Sequence, residues 1–357
     1  MSESYISAGK AAVLVDGQYG STGKGLLAAY LAEQPNNEVD LATTNASANA
    51  GHWTKYKDKD KEGFCCFHMP TFGVVQPDCE IYINAGAIIH PSTLLEELDT
   101  LNIPHNRVVV HPNAAIIRDK DQQQEQESDS GATNIASTQK GVGQALINKI
   151  GRKELNVANN CDQLQHLLGV IDINSKLSQG ARVSIEVPQG YSLSINSEFY
   201  PHTTSRQCTV SQGITDANIH PEFVGSIAQS MRTYPIRVGH IYSDSGHIIG
   251  HSGPVYADQR EIGWWVVGVE PELTTVTGRK RRIFDWSWTQ FDMSVTDNRP
   301  THLFINFLNY MPDDDTALDL ISKIEQRYND IMDKEPIMIY GRGPNVEDVS
   351  TSLYLRT

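Results

Sequence analysis

No apolar run in the 357-residue chain approaches the ~18 residues needed to cross a bilayer, so a spanning helix is not expected. Met1 to Lys10 is polar and leads straight into the first apolar stretch, which argues against a cleavable leader. Cysteine is scarce and unpatterned: five residues, an odd number, with Cys65 and Cys66 adjacent and no Cys-x-x-Cys spacing. This excludes a disulfide framework or a structural zinc site and suits a reducing cytoplasm. Basic charge is short as well. With 29 Lys and Arg against 43 Asp and Glu, the formal net charge of −14 leaves no general surface for releasing nucleic-acid counterions. The dense basic cluster, Arg279 to Arg282, is better matched to a small multiply charged anion.

What is present is a phosphate-binding turn. Val13, Leu14 and Val15 form a short apolar stretch of the kind that becomes a strand buried on both faces, and Leu26 to Glu33 reads as helix. Between them Gly17, Gly20, Gly23 and Gly25 let backbone amides close on an anion, and the helix beginning near Lys24 adds the positive end of its dipole. Lys24 supplies a point charge. The spacing is not that of a Walker A loop, because Gln18 and Gly25 stand where Gly and the magnesium-binding hydroxyl belong, nor that of a dinucleotide fingerprint. An ordinary strand-to-helix turn accounts for two glycines. Four with a lysine point to nucleotide phosphate.

The chain continues as an alternation of strands, loops and helices. Strands are expected at Leu41 to Thr44, Glu80 to Asn84, Val108 to Val110, Arg182 to Val187, Trp264 to Val269, Leu303 to Leu308 and Ile337 to Tyr340. Thr93 and Glu96 read as a capping box for a helix over Leu94 to Leu101, and Asp315 as the cap of an amphipathic helix with Leu318, Ile321, Ile324 and Ile331 on one side. Lys55 to Gly63 reads as a solvated hairpin tip, and Lys120 to Ser130 as an excursion too polar to pack. The pattern predicts an α/β fold with a mostly parallel central sheet and flanking helices, and residues 1–357 as one domain.

Seven stretches agree in order with one family: GQYGSTGKG, NAGHW at Asn49, NAGAIIHP at Asn84, STQKGVGQ at Ser137, PQG with the later HTTS at His202, TGRKRR at Thr277, and GRGP at Gly341. On these the chain resembles the adenylosuccinate synthetase superfamily. The resemblance implies a P-loop-NTPase-related fold, a homodimer and magnesium. It implies a two-step reaction in which a nucleoside triphosphate phosphorylates the 6-oxygen of a purine nucleotide and the amino group of aspartate then displaces phosphate. The catalytic set becomes Ser21, Lys24 and His52, the last donating to the departing diphosphate. Donor phosphate and base fall to Ser21, Thr22, Gly23, Lys24, Gly25, Asn306, Asn309, Gly341, Gly343 and Pro344. The purine monophosphate falls to Ser21, Asn49, Ala50, Ser137, Thr138, Gln189 and Thr204, with Arg152 reaching across the dimer. Thr275, Val276, Thr277, Arg279 and Arg281 grip aspartate, whose carboxylates suit planar guanidinium. Ser21, the Gly51 backbone and Asp16 are the metal candidates.

Two departures refine the expectation. The family's loop reads Gly-Asp-Glu-Gly-Lys-Gly, its Asp serving as general base, whereas this chain reads Gly20-Ser21-Thr22-Gly23-Lys24-Gly25. A serine leaves room for the 2-amino group of guanine beside N1. The pattern is similar to the family's viral branch, the 2-amino-2'-deoxyadenylosuccinate synthases, which implies dGMP as acceptor and a host cytoplasm; the alternatives are a conventional synthetase using IMP and GTP, or a nucleotide-binding pseudoenzyme. At the donor base, Asn306 and Asn309 replace the carboxylate that reads guanine, and an amide suits adenine, so ATP or dATP is the expected donor. No nucleic-acid or membrane partner is expected.

Overall fold

The computed structural model describes residues 5–49, 51–54, 63–127, 131, 135–274 and 277–353. Ala50, Thr275, Val276 and most of the expected Lys55 to Gly63 hairpin therefore lie outside the described residues. The centre is a nine-stranded sheet. In chain order its strands are β1 (Ala11–Asp16), β2 (Leu41–Thr44), β3 (Glu80–Ile83), β4 (Val108–Val110), β5 (Val183–Glu186), β6 (Val224–Arg232), β7 (His302–Asn306), β8 (Ile337–Gly341) and β9 (Val349–Ser350). In space they run β9-β8-β7-β6-β1-β5-β2-β3-β4, and only the β8–β9 pairing is antiparallel. Helices cover both faces, as an all-but-parallel sheet requires. The α/β fold expected from the alternation is the fold found.

β1 shows why the core sits where it does. Ala12 and Leu14 face the Lys24–Glu33 helix with Leu27, Ala28, Phe72, Phe304 and Ile339, while Ala11, Val13 and Val15 face Ile185, Val187 and Val210. The period of two thus splits one strand between two cores. The sheet's C-terminal edge gathers Asp16, Glu186, Arg232, Asn306 and Gly341, the last residues of β1, β5, β6, β7 and β8. That edge is where open parallel sheets place ligands.

Several elements differ from expectation. β6 carries no apolar pattern that announces it, because its Ser226, Gln229, Ser230 and Arg232 are buried and hydrogen-bonded to other parts of the chain. Much of the Lys120 to Ser130 stretch is a helix, Asp119–Gln126, held by Asp121, which closes a capping box with Arg118 and accepts from Asn148 Nδ2 at 2.7 Å. Its Glu125 in turn accepts from Gly141 N at 2.8 Å and Gly143 N at 2.7 Å, capping the Val142–Ile150 helix. Trp264–Val267 forms a helical turn rather than a strand, stopped by Gly268 in the left-handed region. β7 ends at Asn306 because Phe307 adopts φ 61 and turns the chain. The cap of the Pro91–Thr100 helix is His90, with Pro91 starting the first turn. Asp313, not Asp315, caps Asp314–Met332, whose buried face is Ala317, Ile321, Ile324, Tyr328 and Met332. Among the described residues no helix is long and apolar enough to cross a membrane.

Candidate functional site

The loop between β1 and the Lys24–Glu33 helix is tied from below by Asp16. Its Oδ1 accepts from Gln18 N at 2.8 Å and Gly20 N at 3.2 Å, and its Oδ2 accepts from the Thr22 hydroxyl and lies 3.6 Å from Lys24 Nζ. Four donors face this buried carboxylate, expected as a metal candidate, and through them it organises the loop. Gly20, Ser21 and Gly23 all have positive φ (88, 58 and 91), which turns successive backbone amides toward a common centre. The Pro188-Gln189-Gly190 turn presses against this loop so closely that a Cβ on Gly190 would lie 2.1 Å from Gly20 N. Lys24 Nζ donates to the Gln189 carbonyl at 2.6 Å.

Beside the loop, His52 opens the strand His52–Thr54. Burial, aided by the Lys24 ammonium, pushes its imidazole down to about 3 and keeps it neutral in the working range. A neutral ring still offers one N–H, which is the donor that a developing diphosphate oxygen needs.

The expected purine residues converge in part. Asn49 Oδ1 accepts from Ser47 Oγ at 2.6 Å and from Gln189 Nε2 at 3.1 Å, joining two of them. The carbonyls of Ala136 and Ser137 accept from Arg279 Nη2 at 3.0 and 3.1 Å, so the purine and aspartate sets adjoin. Thr138 is half-buried beside them, and Thr204 is fixed by its N–H to the Leu193 carbonyl at 2.8 Å. Arg152 points away: it is exposed just past the Val142–Ile150 helix, near exposed Ile147, Ile150 and Leu155.

In the aspartate loop Thr277 Oγ1 lies 2.6 Å from Thr274 Oγ1 and accepts from Arg279 Nε at 3.0 Å. Arg281 Nη1 donates to Ser21 Oγ at 2.8 Å. The residue standing where the family has its base is thus an exposed hydroxyl held by an aspartate-loop arginine. Asn306, expected at the donor base, braces the phosphate loop: its Nδ2 donates to the Thr22 carbonyl at 3.2 Å and its Oδ1 accepts from Phe307 N at 2.8 Å, and the amide is buried. Gly23 and Gly341 are glycines because each backbone passes against it: a Cβ at either would lie 2.2 Å from the amide. Gly343 packs likewise on Asp348, whereas Asn309 and Pro344 are exposed and accessible to a base.

The sequence profile of the adenylosuccinate synthetase family matches residues 13–171 and 170–318. The chain belongs to this family. It is 36% identical over 368 residues to the N6-succino-2-amino-2'-deoxyadenylate synthase of Salmonella phage PMBT28, covering 96% of this chain and 98% of that one. The succinoaminodeoxyadenylate synthetase of cyanophage S-2L, solved bound to dGMP and dATP as an energy donor, superposes with a TM-score of 0.81 at 32% identity, covering 96% of this chain and 95% of that one. The fully ligated adenylosuccinate synthetase of Plasmodium falciparum shares the fold, with a TM-score of 0.73 at 17% identity over 95% of this chain and 98% of that one.

Family motifs led to Ser21, Lys24, Gln189, Arg279 and Arg281, which the fold brings together. They did not lead to Arg232 or Glu272. Arg232 closes the strand that lacks an apolar signature, and Glu272 sits two residues before the Thr274 to Arg282 loop. Among the described residues no group of three or more His, Cys, Asp or Glu could hold a metal. The neutral oxygens of Ser21 and the Gly51 carbonyl fit an ion carried mainly by substrate phosphates, as magnesium commonly is.

Proposed function

We propose that the chain, working as one unit over residues 1–357, joins L-aspartate to carbon 6 of dGMP. ATP or dATP supplies the phosphoryl group, and the products are 2-amino-2'-deoxyadenylosuccinate, the nucleoside diphosphate and phosphate. The observation that carries this reading is Ser21: a loop of intact phosphate-binding geometry presents a hydroxyl, not a carboxylate, beside the aspartate-loop arginines. The phage relatives named for this reaction, and the cyanophage structure holding dGMP and dATP, support it.

The 6-oxygen of guanine attacks the γ-phosphorus of the donor as the N1 proton passes to solvent, the bond to the bridging oxygen breaks, and the diphosphate leaves. Lys24 and the amides of residues 20–25 hold the phosphates, and the His52 N–H donates to the leaving oxygen. Magnesium, when bound, offsets phosphate charge. The aspartate amino group then attacks carbon 6 and phosphate departs, a far better leaving group than the original oxygen. Arg279 and Arg281 grip the aspartate carboxylates during this step. Asn309, exposed beyond β7, is the side chain that favours adenine in the donor.

Elimination of the succinyl carbons as fumarate would leave 2-aminoadenine, the base of the modified DNA that this product would feed. Exposed Arg152, with Ile147 and Ile150 at 61% and 72% exposure on the adjacent helix, favours a homodimer in which Arg152 completes the partner's monophosphate site. Phosphate release that requires dGMP and aspartate together tests the reaction; release with either alone would count against it.

A further inference from the structure

Two side chains that no motif marks tie the loops of the site together. Arg232 ends β6 with its side chain wholly buried. Its Nη2 donates to Glu272 Oε1 at 2.6 Å and its Nη1 to Glu272 Oε2 at 3.2 Å, the two-point pairing that a planar guanidinium makes and an ammonium does not. Nη1 also donates to the Ser21 carbonyl at 3.1 Å, and the guanidinium lies 3.8 Å over the Phe307 ring. Glu272 is shared as well. The Tyr310 hydroxyl donates to its Oε1 at 3.1 Å, and its backbone carbonyl accepts from Arg281 N at 2.9 Å. Arg281 returns to Ser21 Oγ. The contacts close a ring, Ser21 to Arg232 to Glu272 to Arg281 and back: the Ser21 carbonyl rests on the arginine paired with the Glu272 carboxylate, and the Ser21 hydroxyl on the arginine whose N–H the Glu272 backbone carbonyl holds.

Burial alone would raise the Glu272 carboxyl, but Arg232, Arg281 and the Tyr310 hydroxyl outweigh it and hold it below the usual range. It is therefore ionised wherever the enzyme works. A buried ion pair is weak evidence of stability, and the same volume filled with apolar side chains is often no less stable. What an apolar substitute could not do is hold the Arg232 guanidinium on the Ser21 carbonyl while also attracting Arg281 by its charge.

We infer that Glu272, acting through Arg232 and Arg281, is a positioning residue that holds the aspartate loop in register with the phosphate loop. This rests on the aspartate-ligation reading above. Glu272→Gln should raise the KM for aspartate about tenfold while the KM values for dGMP and ATP stay within about twofold. Tyr310→Phe keeps the ion pair and guards against a folding failure; it should shift the aspartate KM about two- to threefold in the same direction. Equal changes in all three KM values, or an unchanged aspartate KM in both variants, would overturn the inference. Hydrogen exchange of the unliganded protein gives a readout independent of turnover. Amides of residues 20–25 and 277–281 should exchange faster together in Glu272→Gln, and acceleration in only one loop or neither would refute the coupling. If the wild type made no product from aspartate, the proposed reaction would fail while this exchange result still decided the inference.

Discussion

Replacing Ser21 by Asp restores the family's residue and asks whether serine is there to admit guanine. Ser21 has φ 58, a conformation that Asp tolerates better than most residues, so the backbone should accept the change. The side chain is the issue. Ser21 Oγ lies 2.8 Å from Arg281 Nη1, and a carboxylate there would compete with the substrate's own carboxylate for that guanidinium. The site is exposed, so screening limits this competition to about 1 kcal/mol. Crowding of the 2-amino group adds about 1–3 kcal/mol, the usual cost of overfilling a packed site. Together these predict a roughly 30- to 1,000-fold fall in kcat/KM for dGMP, with a raised aspartate KM. The assay is phosphate release under ATP, dGMP and aspartate, with the thermal midpoint as a folding control. A kcat/KM for dGMP that rises, or does not move, would refute the steric reasoning.

Other substitutions separate the remaining roles. His52→Asn should lower kcat by about 10²- to 10⁴-fold. The loss should be equal at pH 6 and pH 8, because the wild-type ring, held near 3, stays neutral across that span. Asn306→Ala should raise the ATP KM without altering the preference for ATP over GTP, whereas Asn309→Asp should move that preference toward GTP; competition kinetics distinguishes them. Arg152→Ala should raise the KM for dGMP, and mixing it with an inactive Lys24→Ala variant should restore part of the activity if the arginine acts across a dimer. Burial pushes His302, the first residue of β7, down to about 4 from the 6.5 of a free imidazole. Between those values the unfolded chain holds a proton that the folded chain does not, so stability present above pH 6.5 is lost as pH falls toward 4. His302→Phe should reduce that acid loss by about 2 kcal/mol, measured by urea unfolding at pH 7 and pH 4.5.

Local patterns made much of the fold readable, and buried polar residues hid the rest. Val13 to Val15 and Val108 to Val110 are short apolar runs, Leu41 to Thr44 opens on an apolar pair, and all three are strands of the sheet. β6 pairs directly with β1 yet carries Ser226, Gln229, Ser230 and Arg232 inside. Those groups are acceptable only because distant partners meet them: Gln229 bonds Ser294 and Asn298, and Ser230 meets Thr22. No local rule can see such partners. The same holds for Asp119–Gln126, whose acidic residues are anchored by Asn148 and by the start of the next helix. In the site, motif residues were legible as chemistry, but not which of them face the ligand. Asn306 and Asp16 carry suitable groups and spend them on the phosphate loop. Arg232 and Glu272 became visible only when the fold placed them 2.6 Å apart.

The most direct measurement is phosphate release with aspartate and magnesium, comparing dGMP with IMP under ATP and repeating the pair under GTP. Turnover with dGMP and ATP, and little or none with IMP and GTP, is the predicted result and gives Ser21 its meaning. Turnover confined to IMP and GTP would contradict the account and mark an ordinary adenylosuccinate synthetase with a displaced base.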